Sequence, residues 1–224
     1  MILLEINEFN LPLLKKAAIS LNLPHLKKLL KFKHSITSSP EKKERFGLDP
    51  WVQWVSIHTG EKYNSHKIRH LGDVQHLRKK QIWEDLGSIG ISSGVWGPMN
   101  AVFKDSKNCK FFFPDPWSYS EKAYPSELNL LLSFPRYFSK NYGDLDWSMI
   151  TINFLKLIMF FSKPRIFALL IMKAPYLLFN LFKNKFKSYI LFALFDYISV
   201  ILFRDFFTKS KPNFAIFFSN SIAH

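Results

Sequence analysis

Short strand-like runs separated by helical patterns constrain this chain more than any other feature. Ile2–Ile6, Ile91–Trp96 and Phe214–Phe218 read as strands, and Ser35–Ser39 reads as a short further one. Such runs, spaced by helices rather than by hairpin turns, predict an α/β fold: a mainly parallel sheet flanked by helices. Asn10 is placed to cap a helix reaching Ser20, with Leu11, Leu14 and Ala18 on one face. Pro24 starts a second helix to Phe32, and the pairs Lys15–Lys16 and Lys27–Lys28 fall on solvent faces. Lys79–Ser88 reads as another helix, stopped by Gly87 and Gly90. From Asn100 to Asp146 the prolines 114, 116, 125 and 135 predict loops. Helical pattern returns from Met149 to Phe207. The expected organisation is therefore an α/β core over residues 1–148, an apolar helical insertion over 149–208, and a last core strand over 209–224.

The stretch from Leu48 to Gly72 is the most sharply punctuated part of the chain. Asp49 suits an N-cap, and Pro50 suits the first helical position, where a missing N–H costs nothing. Gly60 supplies the left-handed stop. A helix that starts so abruptly is expected to offer unpaired N–H groups to an anion such as phosphate or sulfate. In parallel sheets ligands collect at the carboxyl ends of the strands. Those ends carry Asn7 and Glu8, Gly97 to Asn100, and Asn220 to His224, and the Asp49 helix is expected to point at the same rim.

The net charge of +14 favours acidic partners: phosphorylated or sulfated substrates, or an anionic membrane surface. Nucleic acid is disfavoured, because the basic residues are scattered rather than gathered in a stripe with interleaved aromatics. The single cysteine, Cys109, excludes an internal disulfide and a cysteine-rich zinc site. MILLEINEFN has no basic leader and meets Glu5 early, so it is not a signal peptide. The cytoplasm is the expected location, with the inner face of a membrane as the alternative. Met149–Phe161, Ile166–Phe182 and Tyr189–Phe203 are apolar but interrupted by Lys156, Lys173, Pro175 and Asp196. They read as buried helices rather than spans, or else as helices lying on an anionic surface.

The segments PWVQWVSIHTG and NSHKIRHLGD resemble the alkaline phosphatase superfamily, which includes type I phosphodiesterases and sulfatase-like hydrolases. The resemblance rests on Ser56, Thr59 and Gly60 followed by His66. It continues in QIWEDLGSIGISSGVWGPMNA, in FFFPDPW and in the terminal FFSNSIAH. It implies a hydrolase or transferase acting on phosphate or sulfate esters with two divalent cations, zinc or alternatively manganese, beside a nucleophile at that helix's start. By the same resemblance, Asn7, Glu8, Asn220 and His224 meet metal. Asp49 stands at the catalytic position, and Gln53 and Asn100 face substrate.

Three departures accompany the resemblance. The nucleophile position falls on Pro50, beside Asp49. Asn7 and Asn220 stand where acidic ligands are expected, which removes two negative charges from a dication site. The elements that would complete both metal sites lie beyond His224, so the chain reads as an N-terminal portion or a shortened form. Two alternatives remain beside the incomplete enzyme: a non-catalytic relic or binding module of the same fold, and a membrane-surface protein. Structural roles also compete at single positions, with His58 as a helix-end cation, Trp51 and Trp54 as core, and Asp115 as a turn residue.

Overall fold

The computed structural model describes residues 1–36, 49–104, 107–141 and 189–220, with scattered positions between 144 and 172 besides. Four strands form one all-parallel sheet: β1 (Ile2–Ile6), β2 (Ser93–Trp96), β3 (Cys109–Phe113) and β4 (Phe214–Ser219). Their order across the sheet is β1-β4-β2-β3. The last strand in sequence thus enters between the first two, with Leu3 opposite Ile216 and Val95 opposite Ile216 on its other side. The α/β architecture expected from the strand–helix alternation is the observed one.

The helices are α1 (Leu11–Ser20), α2 (Pro24–Leu29), α3 (Pro50–Thr59), α4 (Tyr63–His66), α5 (Ile82–Ser88), α6 (Leu128–Lys140) and α7 (Tyr189–Ser210). The α1 start follows its sequence: Asn10 Oδ1 accepts from the Leu13 N–H at 3.0 Å. The α3 end does too, because Gly60 sits at φ 68° and returns its N–H to Ser56 O. The α5 start is set by a capping box, in which Glu84 reaches back to the Gln81 N–H at 2.9 Å.

Several expectations are corrected. Residues 35 and 36 form no strand, and residues 37–48 lie outside those described. The fourth strand is instead β3, in the stretch expected to be loop. A register shift between Ser93 and Gly94 leaves Lys110 as an extra, exposed residue. Cys109 therefore packs with Phe112 while Phe111 packs on the other face. That bulge hides the period-2 signal. α6 also lies in the expected loop, since Pro135 is inside the helix rather than at its end. Gly87 does not stop α5; it belongs to the helix, and the left-handed residue is Gly90.

Burial along β1 is the reverse of the expectation for an apolar opening strand. Ile2, Leu3 and Leu4 are exposed and Glu5 is 3% exposed. The reason is position: β1 is an edge strand, paired only with β4 among the described residues.

The two faces of the sheet are built differently. On one, Trp96, Phe111, Phe113, Ala215 and Phe217 pack against α6 and α7 through Leu131, Leu132, Phe134, Leu202 and Phe203. α7 is thus part of the aromatic core. On this face Gly94 is required, because a Cβ there would run into the Phe111 ring. On the other face, Val95, Phe112, Phe214 and Ile216 meet Trp83 of α5, and α3 lies over the β1–β4 side. Among the described residues no helix is long and apolar enough to cross a membrane.

Candidate functional site

The carboxyl ends of the strands do converge, and hydrogen bonds tie them together. β1 delivers Asn7 and β4 delivers Asn220, and the Asn7 Nδ2 donates to Asn220 Oδ1 at 2.7 Å. From α3 the Trp54 indole N–H donates to Asn7 Oδ1 at 2.9 Å. An indole nitrogen only donates, so it fixes which way the Asn7 amide points. Three segments distant in sequence are joined by one relay, Trp54 to Asn7 to Asn220. Trp54 also stacks edge-on against Phe218, with centroids 5.2 Å apart.

Asn100 anchors the other half of the rim. It is fully buried at φ 51°, a left-handed conformation that asparagine tolerates better than most residues. Its side-chain oxygen accepts from the Gly72 N–H at 2.9 Å. Its amide nitrogen donates to Trp51 O at 3.2 Å and His70 O at 3.1 Å. Its backbone N–H reaches Asp115 Oδ2 at 2.8 Å, and its carbonyl accepts from Gln81 Nε2 at 2.9 Å. The side chain expected to face substrate is committed inside the protein, where it holds the first turn of α3 against the loop after β2.

Asp115 is more than a turn residue. Oδ1 accepts from the Trp117 and Ser118 N–H groups, and Oδ2 accepts from Asn100 N and Ser118 Oγ. Complete burial raises its pKa above the ordinary carboxylate value, against the opposing pull of those donors.

The start of α3 is a poorer anion site than its sequence suggested. Asp49 occupies the N-cap, but its side chain makes no capping bond. Pro50 has no N–H, and the Val52 N–H turns back to Asp49 O at 2.9 Å. Of the four N–H groups that a helix start leaves without an intrahelical partner, one is missing and one turns back to Asp49 O. Gln53 is half-buried in this first stretch of α3, and Glu8 is exposed at φ 51° just past β1. His224 lies outside the described residues.

Ser56, Thr59 and His66 are engaged in hydrogen bonds around the end of α3. His66 Nδ1 accepts from the Ile68 N–H at 3.1 Å, so its other nitrogen carries the proton and donates to Ser56 Oγ at 3.0 Å. Thr59 Oγ1 donates to Val55 O and accepts from the Glu61 N–H. His58 is not an exposed helix-end cation. It is buried, with Nε2 at 2.9 Å from Glu5 Oε1 and 3.1 Å from Oε2. Burial pushes the Cys109 thiol up to about 11, so it is no nucleophile at neutral pH.

Among the described residues, the two amide oxygens expected to meet metal are each engaged within the protein, Asn7 Oδ1 by Trp54 and Asn220 Oδ1 by Asn7. No three His, Cys, Asp or Glu side chains gather as a metal-holding group among the described residues. The Trp54 link could not be read from sequence, since a tryptophan at helical spacing ordinarily signals core.

Beside the Asn relay lies a cleft of about 460 Å³, between α6, α7 and the carboxyl ends of β2, β3 and β4. Its walls include Trp96, Phe138, Phe195 and Phe218, and Asn220 borders it. Asp196 and Ser199 of α7 supply polar groups, and Ser219 Oγ donates to Asp196 Oδ2. Sequence reasoning missed both α7 residues; Asp196, an acid within an apolar helical run, was the available signal.

No protein-family model, curated protein or solved structure matches this chain.

Proposed function

We propose that this chain holds a phosphate or sulfate ester at the carboxyl edge of its sheet, as part of an alkaline-phosphatase-like hydrolase or transferase. The observation that carries the reading is the Trp54–Asn7–Asn220 relay. It gathers the ends of β1 and β4 and one face of α3 at the rim where parallel sheets bind ligands. Glu8 and Asp49 are the carboxylates left at this rim to act on a bound group. The chain supplies no hydroxyl nucleophile at Pro50, and the metal-dependent chemistry would need acids where Asn7 and Asn220 stand.

That neutral, mutually satisfied amide pair favours a second reading, a non-catalytic binding module of the same architecture. The two separate in one experiment. The full chain is given bis(4-nitrophenyl) phosphate, 4-nitrophenyl phosphate and 4-nitrophenyl sulfate, with and without zinc or manganese. Turnover that falls at least tenfold in Glu8→Ala supports the hydrolase. Saturable binding without turnover supports the module. Neither binding nor turnover rejects the ester site itself.

An anionic membrane surface is the remaining partner reading. It is favoured by a groove where Leu3, Leu4 and Phe32 adjoin Lys15 and Lys33. Flotation with phosphatidylserine vesicles at low salt, lost at high salt, is the expected result; no flotation at low salt rejects it.

A further inference from the structure

The cleft beside the Asn relay has a composition that selects its ligand. Apolar side chains form most of its wall, seven of them aromatic, and no lysine or arginine lines it among the described residues. Its acids are already engaged: Asp115 by four donors, Asp196 by Ser219. A second anionic group would meet no cation among the described lining residues. At about 460 Å³ the cleft lies within the roughly 300–1,000 Å³ typical of small-molecule sites.

One polar group in the wall is left over. Ser199 is 2% exposed, and its Oγ has no hydrogen-bond partner among the described residues. A serine inside a helix ordinarily bonds back to the carbonyl one turn earlier, as Ser210 does to Phe206 O at 2.7 Å in the same helix. Leaving a buried hydroxyl unpaired is costly. We infer that the cleft takes the uncharged, apolar organic group of a ligand, with Ser199 Oγ pairing with one hydrogen-bonding atom on it. Asn220 borders the cleft and belongs to the relay. The inference therefore extends the ester reading, on which it rests, by naming the substrate class: esters of hydrophobic alcohols or phenols, not of sugars or nucleosides.

The test uses the full chain and N-phenyl-1-naphthylamine, a neutral probe that brightens in apolar sites. Energy transfer from tryptophan, with Trp96 and Trp117 in the wall, reports where it binds. The probe should bind saturably. 1-Naphthol should displace it roughly five- to tenfold more tightly than 1-methylnaphthalene, as one net hydrogen bond provides. Ser199→Ala should abolish that preference and leave 1-methylnaphthalene unchanged. 1-Decanol in place of 1-naphthol distinguishes an alkyl from an aryl occupant. No saturable binding, or a preference that survives Ser199→Ala, overturns the inference. 1-Naphthyl phosphate should in turn bind more tightly than inorganic phosphate. If the Ser199-dependent preference for 1-naphthol holds while 1-naphthyl phosphate does not bind, the cleft stands and the ester reading fails. If phosphate monoesters bind with no regard to their organic group or to Ser199, the ester reading stands and the cleft assignment fails.

Discussion

The two faces of the sheet reach stability by different means. The α3 face adds directed polar bonds to its apolar cluster: His58 to Glu5, and Trp54 to Asn7 to Asn220. The α6–α7 face is held by ring packing, with Trp96 stacked on Phe113 at 4.7 Å and Phe203 against Phe217 at 5.0 Å. Hydrogen bonds fix direction and register, so the polar face positions the rim residues. The ring-packed face is the one that carries the cleft, whose wall includes Trp96, Phe113 and Phe134 of that cluster. Placement of the rim and room for a ligand thus come from opposite sides of one sheet.

The contrast is broken most severely at the buried Glu5–His58 pair. Both side chains are nearly inaccessible, and removing one strands the other. Glu5→Ala or His58→Ala should each cost about 3–5 kcal/mol in urea unfolding. Replacing both with leucine should recover most of that loss. Equal losses in the single and double variants would mean that packing, not pairing, governs this face as well.

On the aromatic face the sharpest test is steric. Gly94→Ala should cost about 1–3 kcal/mol, because the Phe111 ring must move. Gly94→Ala combined with Phe111→Leu should be less damaging than the two separate losses added.

Asp115 gives the comparison a pH dependence. Its folded-state pKa is raised, so between the unfolded and folded values the native state binds more protons. Stability from this group should therefore fall as pH rises through that window. Asp115→Asn should be destabilising throughout, and its deficit against the parent chain should widen as pH is lowered across the carboxylate range. A deficit that narrows on acidification would reverse the sign.

The smallest effect is expected at Ser199. Without ligand, Ser199→Ala removes an unpaired buried hydroxyl and should raise stability by up to about 1 kcal/mol. A marked loss would show that the hydroxyl has a structural partner and that the cleft wall is complete without a ligand.

The parts of this fold that depend on neighbouring residues were legible in the sequence. Asn10 marks the α1 start, Pro50 and Gly60 bracket α3, and the Phe214 run is a strand, because caps and short apolar runs are local signals. What was missed depends on distant partners. The bulge at Lys110 scrambles the alternation of β3, and Pro135 looks like a breaker although α6 accommodates it. The inverted burial of β1 follows from its place at the edge, which no window of sequence contains. At the candidate site, Asn7 and Asn220 were identifiable as strand ends. Their mutual bond, and the tryptophan that orients it, appear only when β4 inserts beside β1. Asn100 was singled out for its position, and the structure gives it the work of tying α3 to the loop after β2.

β1 brings a handling consequence. Its outer backbone has no strand beside it among the described residues, and Ile2, Leu3 and Leu4 are greasy on the surface. A ribbon of that kind templates edge-to-edge stacking between molecules. Concentrated stocks should therefore precipitate through residues 2–6, and Leu4→Lys should suppress it.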